Sequence, residues 1–97
     1  MRQNWINNRL VPSAAKEEIA VVNPATEETI DNVPRGAKAD VEEAVAAARA
    51  AQPAWASLAP NDRRNVLRKV IATLRERQDD IARLLTLENG KPLAQAR

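Results

Sequence analysis

The sequence predicts an α/β chain, with short antiparallel edge strands in its first third and then two helices, the second of them long. Three observations carry this. The β-prone stretches before residue 35 are each closed by an Asn-Asn, Asn-Pro or Val-Pro step, residue types that turn a chain or end a ladder. From Ala39 onward apolar residues recur at spacings of three and four, the period of a helix face. Finally "ENGKP", residues 88–92, sets a glycine and a proline where that pattern stops.

"WINNRLV" places Asn7-Asn8 between two short β-prone pieces, and asparagine tolerates positive φ better than other non-glycine residues, so a tight hairpin is expected. A further strand is expected from Ile19 to Val22, ended by Asn23-Pro24, and another from Thr29 to Val33, ended by Pro34. Strands this few and short need a partner surface. The first helix starts near Ala39 and puts Val41, Ala44, Val45 and Ala48 on one thin stripe, with Asp40, Glu42 and Glu43 near its N-terminus, where carboxylates meet free amides. Pro53 is expected to end or kink it, leaving Trp55 at a junction. The second helix starts at Pro60, with Asp62 in its first turn. Val66, Leu67, Val70, Ile71, Leu74, Ile81, Leu84 and Leu85 form its stripe, and Gly90 is placed for a left-handed cap. Continuous from Pro60 to Glu88, it would run roughly 40 Å at ~1.5 Å per residue. The rest of the chain offers little to cover that stripe, so Leu74, Ile81, Leu84 and Leu85 are expected to be partly exposed. "LAQAR", after Pro92, looks like the first turn of a further helix.

Composition narrows the chemistry. The chain has 97 residues, no Phe, no Tyr and two Trp, and much of its 44% hydrophobic content is alanine. A chain of this size hides only ~60–65% of its unfolded surface, so a core of small residues is a weak one. With no Cys and no His, it carries no disulfide, no sulfur or imidazole zinc site and no thiol or Ser-His nucleophile. No apolar run approaches the ~20 residues that span a bilayer, and "MRQNWINN" lacks the apolar stretch of a signal peptide. A cytoplasmic protein without membrane contact is expected.

The net charge is only +2. Arg63, Arg64, Arg68, Lys69, Arg75 and Arg77 could form a nucleic-acid stripe, but Asp62, Glu76, Asp79 and Asp80 interrupt them, so no nucleic-acid partner is expected. Lys91 beside Gly90 is read as a solvated lysine after a helix cap rather than an anion site, and Trp55 as a core aromatic rather than a ligand platform. The only glycines are Gly36 and Gly90, so no Gly-x-Gly-x-x-Gly phosphate cradle can be built.

"WINNRLV", "VVNPATEE", the alanine-rich helix after "AD", Trp55, Arg63-Arg64 with the leucine-periodic helix, and "ENGKP" follow one another in an order that resembles the N-terminal segment of the aldehyde dehydrogenase superfamily, with "VVNPATEE" nearest its betaine aldehyde and semialdehyde branches. The resemblance covers essentially the whole chain. It implies an N-terminal piece of that fold, about one fifth of a subunit, with strands and hairpin over residues 1–35 and the helical part of an incomplete NAD-binding domain over 36–97; the NAD-binding sheet and the catalytic domain are absent. The implied activity is NAD- or NADP-dependent oxidation of an aldehyde to a carboxylate by a homo-oligomeric enzyme. The catalytic cysteine, the water-activating glutamate, the oxyanion-holding asparagine and the glycine-bearing turn over the pyrophosphate belong to later sequence, so no catalytic or cofactor-binding residue is assigned here. The 97-residue chain alone is expected to be inactive and to bind no coenzyme. The alternatives are a truncated non-catalytic protein that binds a partner subunit, and a gene relic.

The resemblance also implies a structural monovalent cation, K+ or Na+, held by the backbone carbonyl of Val22 and by Glu88. The plain alternative for Glu88 is an exposed carboxylate at a helix end, with Lys91 or a cation offsetting its unfavourable place in the helix dipole. Two departures from the family pattern stand out. Asn8 occupies the usual hairpin glycine, and the first helix has Lys38 where a Ser or Thr commonly caps, a missing acceptor expected to cost roughly 1 kcal/mol and loosen that end.

Overall fold

A computed structural model describes residues 2–97. Strands β1 (Asn4–Ile6) and β2 (Arg9–Val11) pair antiparallel, with Ile6 opposite Arg9 and Asn4 opposite Val11. Asn7 and Asn8 join them at φ of 52° and 60°, both positive as a type I′ turn demands. Asparagine does here what glycine does elsewhere, because its short amide tolerates the left-handed region.

Strands β3 (Glu18–Val22) and β4 (Thr29–Pro34) form a second two-stranded sheet. Their connection is held by its own backbone: Asn23 N–H donates to the Glu28 carbonyl at 2.9 Å and Glu27 N–H donates to the Asn23 carbonyl at 2.7 Å. The Asn23 side-chain oxygen accepts the Ala25 amide at 2.9 Å, the local bond that makes Asn-Pro a turn former. Glu27 takes φ of 62°, a strained choice for a residue other than glycine.

Helix α1 runs from Lys38 to Ser57 with Pro53 inside it, so of the two outcomes its sequence position suggested, ending or kinking the helix, the first does not occur. Proline removes one N–H, the donor that Arg49 C=O would have received. Both residues lie on the exposed side, where water can take that carbonyl and the helix continues for another turn. Trp55 therefore rides on the last turn of α1, 38% exposed, and is not the core aromatic the junction reading expected.

The expected second helix is two: α2 (Pro60–Glu76) and α3 (Gln78–Asn89), separated at Arg77 with φ −101° and ψ 11°. No glycine or proline marks this break. Residues 75–80 read "RERQDD", a full polar turn without an apolar anchor, and Asp79 and Asp80 then sit in the first turn of α3, where the dipole favours carboxylates. Backbone bonding hardly lapses, since Ile81 N–H still reaches Arg77 C=O at 3.0 Å. After Pro92, Leu93–Ala96 forms the short α4, the helical turn foreseen for "LAQAR".

The chain divides into two compact units, one of residues through Val21 with Asp31–Ser57, the other of Val22–Ile30 with Leu58–Arg97. In the first, Ile6 is buried to 6% exposure and Ala44 and Ala47 are half-buried. Trp5, Ile6, Asn7 and Asn8 line one hollow with Ala44, Ala47, Ala48 and Ala51, so the hairpin lies over an alanine face of α1. Val41 and Val45, expected on that stripe, are instead 60% and 51% exposed. Alanine wins the inner face because a backbone can approach it closely.

In the second unit Ala82 is buried to 1% exposure, and Arg97 Nε lies 3.3 Å from Asp79 Oδ1. Leu74, Ile81, Leu84 and Leu85 remain 53%, 45%, 46% and 37% exposed. The apolar stripe of α2 and α3 is therefore partly exposed, as its length and the alanine-rich remainder of the chain foretold.

Candidate functional site

The two expected cation ligands, Val22 and Glu88, fall in the same unit. Val22 ends β3 just before the Asn23-Pro24 turn, and Glu88 lies one residue before the end of α3. These segments touch through their neighbours. Gly90 caps α3 in the left-handed region at φ 81°, its N–H donating to the Thr86 carbonyl at 2.9 Å. A Cβ built on Gly90 would stand 3.0 Å from Pro24 Cγ, closer than side chains normally pack, so glycine is required here for its conformation and for space.

Both Val22 and Glu88 are exposed. From this chain an ion would receive one backbone carbonyl and one carboxylate, and among the described residues no three His, Cys, Asp or Glu side chains gather as a metal cluster. An alkali cation fits this donor set better than a transition metal, since oxygen-only ligands suit hard ions. Lys91 is exposed and follows the cap, as the plain reading had it.

A densely bonded polar group lies elsewhere, at the start of α1. Asp40 is buried to 6% exposure, with Oδ2 accepting the Ala37 amide at 2.8 Å and Oδ1 accepting the Ala14 amide at 2.9 Å. Ser13 Oγ stands 2.7 Å from Asp40 Oδ2 and 2.8 Å from the Arg35 carbonyl. Its single hydrogen serves one of these acceptors at a time. The Ala37 amide, the Ser13 hydroxyl and the Ala14 amide together hold the Asp40 carboxyl below its ordinary value, against the opposing pull of desolvation.

Asp40 thus corrects the expectation of a loose, uncapped helix start. The third helical residue reaches back to the amide of the residue before the helix, which is the acidic half of a capping box without its Ser or Thr half. The available signal was an acid at that third position. Its other partners, 26 and 27 residues away in sequence, gave none. Its carboxylate receives two backbone amides and one hydroxyl, which gives it a structural role.

Comparison with known proteins decides the lineage. The sequence pattern of the aldehyde dehydrogenase family matches residues 10–97. The chain belongs to the aldehyde dehydrogenase family. It is 42% identical over 96 residues to a glutarate-semialdehyde dehydrogenase of Pseudomonas aeruginosa, covering 99% of this chain and 20% of that protein. It is likewise 42% identical over 92 residues to a mitochondrial methylmalonate-semialdehyde/malonate-semialdehyde dehydrogenase of Rattus norvegicus, covering 95% of this chain and 17% of that one. Among solved structures, a variant of aldehyde dehydrogenase C from Pseudomonas syringae, complexed with NAD+ and octanal, superposes with a TM-score of 0.96 at 38% identity, covering 99% of this chain and 20% of that one. This aldehyde dehydrogenase chain thus spans about 20% of the length of the relatives it matches. No helix of it, among the described residues, is long and apolar enough to cross a membrane.

Proposed function

We propose that this chain is the N-terminal segment of an NAD(P)-dependent aldehyde dehydrogenase that oxidises an aldehyde to a carboxylate, in a cytoplasmic homo-oligomer. The carrying observation is a backbone that superposes at TM-score 0.96 on one fifth of a dehydrogenase solved with NAD+ and an aldehyde. In such an enzyme a cysteine thiolate would act as nucleophile and a bound nicotinamide coenzyme would supply the redox chemistry. This chain has no Cys and supplies none of those groups. Its part is architectural: residues 1–35 as strands and hairpin, 36–97 as the helical portion of the coenzyme domain. Both of these relatives act on semialdehydes by name, which favours an aldehyde that also carries a carboxylate.

Val22 and Glu88 would contribute a carbonyl and a carboxylate to a K+ or Na+ ion, which would tie the end of β3 to the end of α3. A second reading, a non-catalytic protein that binds a partner subunit, draws support from the partly exposed stripe on α2 and α3. Titration calorimetry with NAD+ and an aldehyde oxidation assay on the 97-residue chain separate these readings from an autonomous enzyme: no heat and no turnover are expected, and a micromolar dissociation constant for NAD+ would overturn the architectural role. In-frame sequence following residue 97 should encode a cysteine-bearing loop and a glycine-rich βα turn; without them the catalytic reading of the gene fails.

A further inference from the structure

We infer that Asn89-Gly90 is a self-modification site, a succinimide-forming pair whose reaction is timed by opening of the left-handed cap that Pro24 holds closed. It is the one Asn-Gly step in the sequence, and Asn89 is exposed. Glycine leaves its own backbone nitrogen unhindered, so in an open chain the Gly90 nitrogen can attack the Asn89 side-chain carbonyl carbon. A C–N bond forms, the amide proton passes to solvent, and the side-chain amide leaves as ammonia. Water then opens the five-membered imide at either carbonyl, leaving aspartate or isoaspartate at position 89. No oxidant, reductant or enzyme enters the balance.

The folded cap opposes each requirement of that step. Ring closure needs the Gly90 nitrogen nearly eclipsed with Asn89 Cβ, whereas Asn89 is helical and a helical ψ near −40° holds the nitrogen well out of that plane. The Gly90 N–H is engaged by the Thr86 carbonyl at 2.9 Å. The Pro24 ring packs where a Gly90 side chain would be, so the glycine cannot swing freely. Reaction therefore proceeds through local opening, and its products reclose the cap less readily. Isoaspartate lengthens the backbone by a methylene inside the cap, and either product adds a negative charge beside Glu88 at the C-terminal end of α3, where the dipole disfavours it.

The test is peptide mapping by mass spectrometry after incubating the full chain in mildly alkaline buffer, with and without concentrated urea. Conversion of Asn89 is expected in both, and slower by roughly tenfold or more without urea, the protection that even a modest opening free energy gives. Pro24→Ala should raise the rate without urea several-fold and leave the rate in urea unchanged, and Asn89→Gln should abolish conversion of that peptide. Absence of conversion in urea overturns the site. Equal rates in the two solvents overturn the timing by the cap. A Pro24→Ala rate equal to the parent's overturns the role of the proline.

Discussion

The Pro24 ring stands where a side chain on Gly90 would have to go, its Cγ 3.0 Å from the Cβ position. A turn that closes a β-ribbon and a glycine that caps a helix are thus matched across 66 residues of sequence.

Gly90→Ala should be costly for two separable reasons. Alanine at φ 81° forfeits about 1–2 kcal/mol for its left-handed backbone, and its methyl meets Pro24 as well. Urea unfolding should show the loss, and Pro24→Ala in the same chain should return the steric part while leaving the backbone part.

Stability should fall in acid, with a sign that Asp40 and Asp31 share. Asp31 is held below its ordinary value of 3.8 first by the Arg2 hydrogen bond and then by the Asn32 amide, and Asp40 by Ala37, Ser13 and Ala14. A carboxyl whose folded pKa is depressed stabilises the fold at pH above the unfolded value and ceases to as pH drops through the folded one. Thermal melts by circular dichroism should be flat from neutrality to about pH 5 and decline below the ordinary aspartate range. Asp40→Asn should flatten that decline and lower the plateau. Ser13→Ala should move the Asp40 titration back toward its ordinary value, which carboxyl NMR shifts read directly.

Two apolar positions on neighbouring helices should respond very unequally to a change of size. Leu74 is 53% exposed, so Leu74→Ala should change the stability of the isolated chain by no more than ~0.5 kcal/mol. Ala82 is 1% exposed, and Ala82→Leu should cost about 1–3 kcal/mol through overpacking. Chemical denaturation of both variants provides the check, and the reverse order would mean that the stripe on α2 is covered in solution.

A cation at Val22 and Glu88 should appear as a rise in melting temperature in KCl or NaCl over choline chloride at equal ionic strength. Glu88→Gln should remove the difference. A variant that keeps the full salt response would place the ion, or the response, elsewhere.

Much of this was legible in the residues. The asparagine pair fixed the hairpin because residue type alone licenses its two positive φ values, and Pro60 and Gly90 bounded the helical stretch for equally local reasons. The exposed leucines followed from counting what could cover them. Four features were hidden. The break at Arg77 involves no breaker residue, only a polar turn whose effect depends on packing either side. Pro53 continues its helix because the carbonyl it orphans faces water, a matter of exposure rather than type. The inner face of α1 is set by how near the hairpin comes, which favoured alanines 44, 47, 48 and 51 over the valines. Asp40 draws two of its three donors from residues far away in sequence. The proposal of a cation at Val22 and Glu88 came from family resemblance, since neither position announces a ligand by itself.

The Asp40 clasp also bears on the order in which the molecule assembles. A helix of 20 residues forms on its own within about a microsecond, and the bond from Asp40 to the Ala37 amide can form with it. The bonds to Ser13 and Ala14 must wait until a loop of 26 residues closes, an entropic cost that falls once β3 and β4 pair within it. The helix start is therefore built twice, first as a local turn and later as a junction. Ser13→Ala should leave the refolding limb of a chevron nearly unchanged and steepen the loss of the native state by speeding unfolding, so that the hydroxyl acts as a latch on the finished structure and takes no part in guiding its formation.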